Sequence, residues 1–240
     1  AYEIRNCDWS SDVCSSDLTH WDHIHGFPHF APLQERGTRV HLYSMAHPDR
    51  TLCQILAQQQ QQPFFPMQLE QAHAALEFTD LVEGQQWQIG PTNVLCKRLN
   101  HPSYTGGFRI ECAGKVFSYV SDTDLYGPRL HGAGMNEGSD EELEDRRIEL
   151  QKGAVQLAQD ADLMVFDSFF LPDEYKDDWG HSRTDDALRL GEEANVRRTA
   201  FFHHAPNRSD EQLDAIVADC SKRAPDNALL AATEGDRLVL

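Results

Sequence analysis

The chain has 240 residues, 40% hydrophobic and 25% charged, a content that suits one globular domain with a sizeable core. Its formal net charge of −18 argues against a broad nucleic-acid footprint, because an acidic surface repels phosphate backbones, although bound dications can reverse the field locally. No apolar run approaches the ~20 residues of a membrane helix, and the N-terminus lacks the basic and apolar regions of a signal peptide, so the expectation is a cytoplasmic protein with no membrane partner.

Residues 1–18 show no alternation, helical stripe or turn logic, and no element is expected there. The block "DWSSDVCSSDL" resembles a translated sequencing-library adapter, so 1–18 is read as a non-native leader and 19–240 as the natural domain. Cys7 and Cys14 fall in that leader, whereas Cys53, Cys96, Cys112 and Cys220 are scattered and form no CxxC pair. All are expected to be reduced thiols.

From Thr19 onward, strands and helices alternate. In "TRVHLYSM", Val40 and Leu42 alternate with polar or small residues, as in a half-buried strand. "TLCQILAQQQQQPFFPM" begins as a helix with Leu52, Ile55 and Leu56 on one face and stops at Pro63; its glutamine run reads as a solvated helix end. "GGFRIECAGKVFSYVSD" reads as two strands around "CAGK", with Asp122 just past the second. Ser139 and Glu142, in capping-box spacing, open a helix, and "DLMVFDS" is a short apolar run suited to a covered strand. A helix in "TDDALRLGEEANV", a strand in "RRTAFFHH" and a helix after Ser209, with Gln212 in the same capping spacing, complete an α/β pattern. The Gly-rich "YGPRLHGAGMNEG" is a long surface loop, and neither an internal repeat nor an interdomain linker stands out.

The chemistry concentrates in a few loops. "THWDHIHG" packs His20, Asp22, His23 and His25 together, and zinc-like cations accept such a mixture of N and O donors. Taken alone, it could equally be a chance cluster in a chain with twelve histidines. Four further places add weight: His101 ahead of Pro102, Asp122 at a strand end, His181 just before a helix, and His203 with His204 at another strand end. In an α/β fold, polar groups at strand ends are where sites assemble.

In order and approximate spacing, "THWDHIHGFPHF", "LNHPSYTGGFRIE", "VSDTD", "WGHS" and "FFHHAPNRSDEQL" resemble the motifs of the metallo-β-lactamase superfamily of metallohydrolases over roughly residues 19–220. The resemblance is to its phosphodiesterase-like branch in particular, which includes phosphoribosyl cyclic phosphodiesterase and tRNase Z type nucleases. It implies a four-layer αβ/βα sandwich and two divalent metal ions, zinc first, with manganese or iron as alternatives. Carried over residue by residue, His20 and His101 bind one ion, Asp22, His23 and His203 the other, and Asp122 bridges them. His203 is preferred to His204 because it lies three residues before Pro206, as the family's ligand does.

The family pattern also has a histidine two residues before His20, where this chain has Leu18, a side chain with no lone pair. Because the family's first strands precede that loop, the N-terminal sheet is expected to be incomplete with an unpaired edge. The resemblance makes Asp22 and His181 the catalytic candidates, His181 assisting at the phosphate or leaving group. A helix-capping loop residue is its plainer alternative. Asp167 either orients a histidine or makes a strand-end turn. His25 and His29 are candidates for the pocket wall.

The function so implied is metal-assisted hydrolysis of a small phosphodiester, by a homodimer or monomer, with nucleic acid not expected as a partner. A thioester or lactone hydrolase is the alternative enzyme. A non-catalytic ligand-binding or sensory domain is the alternative from another class, and Leu18 lends it weight.

Overall fold

The computed structural model describes residues 17–132 and 134–240, together with the backbone of 12–15. Although composition suits one domain, the chain forms two compact units, Ala1–Glu83 and Gly84–Leu240, each with its own sheet and core. Among the described residues no helix is long and apolar enough to cross a membrane.

The first unit holds a three-stranded parallel sheet in the order β1 (Asp12–Ser15), β2 (Arg39–Met45), β3 (Ala75–Leu81). The expected alternation puts Val40 and Leu42 into the core, where they meet Leu52 and Leu56 of helix α2 (Leu52–Gln59) and Ile24 of the short helix α1 (Trp21–Ile24). The start of α2 is fixed by a reciprocal capping box between Thr51 and Gln54, and Asp80 Oδ1 accepts from Leu52 N at 2.7 Å.

Two expectations change here. β1 lies inside the segment 1–18 for which no element was expected, and it pairs with β2 along its whole length. "DVCS" has no apolar alternation to announce a strand; the open edge of β2 supplies the template. Asp17 and Leu18 next to it are 6% and 0% exposed. Residues 1–11 and 16 of that segment lie outside the described residues. The glutamine run is also not uniformly solvated: Gln59 and Gln60 are buried, and Gln59 Nε2 donates to Ile24 O at 2.7 Å. The Gln59 amide is tolerated there because a backbone carbonyl, not water, receives its N–H.

The second unit is built on a seven-stranded mixed sheet ordered β10-β9-β8-β7-β6-β5-β4. Its antiparallel half runs through β4 (Gln86–Ile89), β5 (Thr92–Arg98), β6 (Gly106–Cys112) and β7 (Lys115–Val120). The turn between β6 and β7 places Ala113 and Gly114 at φ 52° and 75°, the left-handed pair that a two-residue hairpin needs. The parallel half continues β7, β8 (Leu163–Asp167), β9 (Arg198–Phe202) and β10 (Ala228–Ala231), crossed over by α3 (Asp140–Ala158), α4 (Thr184–Glu193) and α5 (Asp210–Arg223). The capping boxes expected at Ser139 and Ser209 are both present. Every residue of β8 is buried, as its unbroken apolar run requires. Helix α3 lies so close to the sheet that a Cβ on Gly107 would come within 2.5 Å of Leu157 Cδ1. The described cysteines Cys53, Cys96, Cys112 and Cys220 are free thiols, as expected.

This topology positions the chemistry. β7, β8 and β9 are parallel, and β5, two antiparallel steps from β7, runs in the same direction. Their C-terminal ends therefore open on one sheet edge, where the segments beginning at Leu99, Ser121, Ser168 and His203 emerge.

Candidate metal centre

In the first unit, His20 is the N-cap residue of α1, while Asp22 and His23 lie in the helix itself. His23 Nδ1 is 3.2 Å from Asp17 Oδ1. A carboxylate only accepts, so Nδ1 carries the proton and Nε2 presents its lone pair, 3.6 Å from Asp22 Oδ2. The Asp22 side chain is 66% exposed and accessible to a ligand. Asp17 was not anticipated as part of the site, because it falls in the discounted leader. Leu18 is fully buried and offers no donor.

In the second unit, His101, Asp122, His181 and His203 come together, as do the strand ends that carry them. His101 and Asp122 are each 2% exposed. His101 Nδ1 donates to Gly180 O at 2.8 Å, and that carbonyl fixes the tautomer so that Nε2, 3.8 Å from Asp122 Oδ2, holds the lone pair. His203 Nε2 approaches the same carboxylate oxygen at 3.7 Å. Both separations exceed a hydrogen bond yet suit donors around a shared cation, since ligands ~2.0–2.1 Å from zinc stand about 3.3 Å apart in a tetrahedron. His203 has φ 56°, a left-handed conformation that costs energy for a residue with a Cβ.

Gly180 explains the "WGH" motif. Its φ is +77°, and a Cβ there would lie 2.3 Å from Pro102 Cδ and 3.0 Å from His101 Nδ1. Only glycine lets this backbone reach His101.

His181 Nδ1 donates to Asp167 Oδ2 at 2.8 Å. Asp167 is completely buried and also accepts from Thr123 N at 3.0 Å and Phe169 N at 3.1 Å. Asp167 was expected either to orient a metal-ligand histidine or to make a strand-end turn; the histidine it contacts is His181, the catalytic candidate, and not one of the expected ligands. The plainer reading of His181, a ring bonded to backbone, does not match that carboxylate contact. Phe169 stacks on His181 with ring centroids 5.1 Å apart, and His181 stacks on His203 at 4.6 Å. Phe169 had no signal in the sequence beyond following a strand.

His204 points elsewhere. Burial pushes its imidazole below the usual histidine range, and its ring lines a small internal cavity with Thr184, Phe201 and Arg208.

The residues fit a divalent metal: His101 Nε2 and His203 Nε2 lie 3.8 and 3.7 Å from the same Asp122 oxygen at a sheet edge, in the N and O mixture that zinc accepts, with the His181–Asp167 pair beside them.

No protein-family model matches the chain. A stretch of 63 residues is 36% identical to a ribonuclease Z of Sulfurisphaera tokodaii, covering 26% of this chain and 21% of that protein, so the match spans about a fifth of the curated relative. Among solved structures, YhfI of Bacillus subtilis, described as a metallo-beta-lactamase fold protein, aligns with a TM-score of 0.62 at 16% identity over 94% of this chain and 76% of its own. A diphosphatase of the PhnP family aligns with a TM-score of 0.60 at 16% identity, covering 95% and 71%. Zinc-bound PqqB of Methylobacterium extorquens aligns with a TM-score of 0.57 at 18% identity, covering 95% and 71%. Such low identities establish the fold and nothing finer. The chain is a protein of the metallo-β-lactamase fold, with motifs that resemble in their order those of that superfamily's metallohydrolases.

Proposed function

We propose that this protein is a metal-dependent hydrolase acting on a small phosphodiester. The observation that supports this most is the convergence of Asp122, His203 and the hydrogen-bonded pair His181–Asp167 at one sheet edge. In this reading His20 and His101 hold one cation, Asp22, His23 and His203 the other, and the Asp122 carboxylate is shared. Zinc suits the donors, with manganese or iron as alternatives, and two bound cations would supply Lewis-acid polarisation of the phosphoryl oxygens and a water of lowered pKa.

The chain's own residues do the rest. Asp17 and Gly180 O fix the tautomers of His23 and His101, so that each ring presents a lone pair. Asp167 holds His181 by its Nδ1–H with Nε2 directed away from the carboxylate; as the imidazolium, which this carboxylate would stabilise, His181 can give its Nε2 proton to a departing alkoxide and return to the neutral ring.

The domain is taken to run over 19–240, with 1–18 a non-native leader. Resequencing the source DNA across Leu18 and Thr19 tests this, and a natural reading frame upstream would overturn it. The acidic surface does not exclude RNA: the curated relative is named a ribonuclease, so the expectation against nucleic acid has no support.

Zinc-loaded protein should hydrolyse bis(p-nitrophenyl) phosphate, and Asp122→Ala should abolish the activity. Turnover of a thioester or lactone in place of the phosphodiester would favour the alternative hydrolase. Metal binding without any turnover, in a Leu18→His variant as well, would favour the ligand-binding domain.

A further inference from the structure

We propose that Trp179, seated on Phe169, is a stacking platform for a planar heteroaromatic base, so that the preferred phosphodiester is a nucleotide. The inference rests on the phosphodiesterase reading and names its substrate class. Trp179 is 48% exposed, although its ring centroid lies 5.8 Å from that of Phe169 and 6.2 Å from that of Phe170. Phe169 in turn lies 5.1 Å from His181 and 5.5 Å from His203. An unbroken row of rings thus leads from the candidate metal centre to an open indole. The indole is inclined by 46° to Phe169, so Phe169 does not cover its face.

The rings on which Trp179 sits are anchored. Arg208 donates to Phe169 O at 3.1 Å and pairs with Glu174. Phe170 N donates to Ser182 O at 3.1 Å, and Tyr175 OH donates to Asp124 Oδ2 at 2.7 Å. A large apolar ring left half in water above such anchored rings offers a ligand a surface to stack on.

The chemistry selects a planar ligand. Every nucleobase has a π face that stacks on an aromatic side chain regardless of sequence. The Lys176 ammonium rests 4.7 Å from the indole centroid, so a base stacking on that face must displace it. An exposed cation–π contact is weaker than base stacking, so a base displaces it.

The test is calorimetric titration of the zinc-loaded, full-length protein with adenosine 5′-monophosphate and with ribose 5-phosphate, which lacks the base. Trp179→Ala should raise the Kd for adenosine 5′-monophosphate about 30-fold, the middle of the range for loss of one base stack. The Kd for ribose 5-phosphate should stay unchanged, and Trp179→Phe should restore most of the loss. Equal weakening of both ligands, an unchanged Kd for the nucleotide, or no nucleotide binding by the unsubstituted protein would each overturn the platform. Hydrolysis of bis(p-nitrophenyl) phosphate is measured in parallel. Its absence overturns the phosphodiesterase reading, whereas its presence without any base preference overturns the platform alone.

Discussion

Replacing Asp167 by asparagine keeps the shape of the side chain and removes one acceptor. Oδ2 receives His181 Nδ1 at 2.8 Å and Thr123 N at 3.0 Å, and Oδ1 receives Phe169 N at 3.1 Å. An amide has only one oxygen, so its NH2 must face at least one of these N–H groups. If it faces Phe169 N, a buried donor is stranded, at a cost of about 1–3 kcal/mol. If it faces the other pair, Thr123 N is stranded and His181 must take the opposite tautomer to accept. Thermal unfolding should shift down by about 2–4 °C for each kcal/mol lost. The catalytic effect should depend on the leaving group, because nitrophenolate departs without a proton and an alkoxide does not. Asp167→Asn should lower kcat about 10–100-fold for an alkyl phosphodiester and leave bis(p-nitrophenyl) phosphate little changed. Steady-state kinetics on both substrates, with His181→Ala alongside, decide it. A stability loss with equal kcat values on the alkyl substrate would refute the orienting role and leave Asp167 a strand-end turn.

Gly180→Ala should destabilise the protein by more than about 2 kcal/mol, since a left-handed φ and a 2.3 Å approach to the Pro102 ring act together; denaturant unfolding checks this. Leu18→His should tighten binding of the weaker of two zinc ions, seen as a lower second Kd in a competitive chelator titration, and no change would argue that Leu18 does not occupy a ligand position. The Asp162 carboxyl is held below its ordinary value of 3.8, chiefly by the Val116 N–H and then by Lys115. A depressed folded-state pKa contributes stability that is full above the unfolded value and lost as pH falls through the folded one. The stability gap between wild type and Asp162→Asn should therefore narrow on acidification below pH ~4, and a constant gap would contradict the assignment.

Much of the fold was legible where local chemistry is self-sufficient. Ser139 and Ser209 announce α3 and α5 through capping boxes, and the unbroken apolar run of β8 announces a covered strand. β3, β4, β5 and β10 carried no reading, because strands such as "ALEFTDL" and "QWQI" mix polar residues into short runs that carry no clear apolar signal. β1 was invisible for a stronger reason: its place is set by the edge of β2, and composition argued against any element there. At the site, the histidines and Asp122 were readable from order and spacing. Gly180 and Phe169 were not, since one acts through a backbone carbonyl that reaches His101 and the other through a ring stacked on His181.

The central claim is that the converging histidines and carboxylates hold a pair of metal ions with Asp122 between them. Equilibrium dialysis against zinc, with the bound metal counted per chain, tests it most directly. The account predicts about two zinc ions per chain, falling below one in Asp122→Ala at the same free concentration. The same stoichiometry in both proteins, or no bound zinc in either, would contradict it.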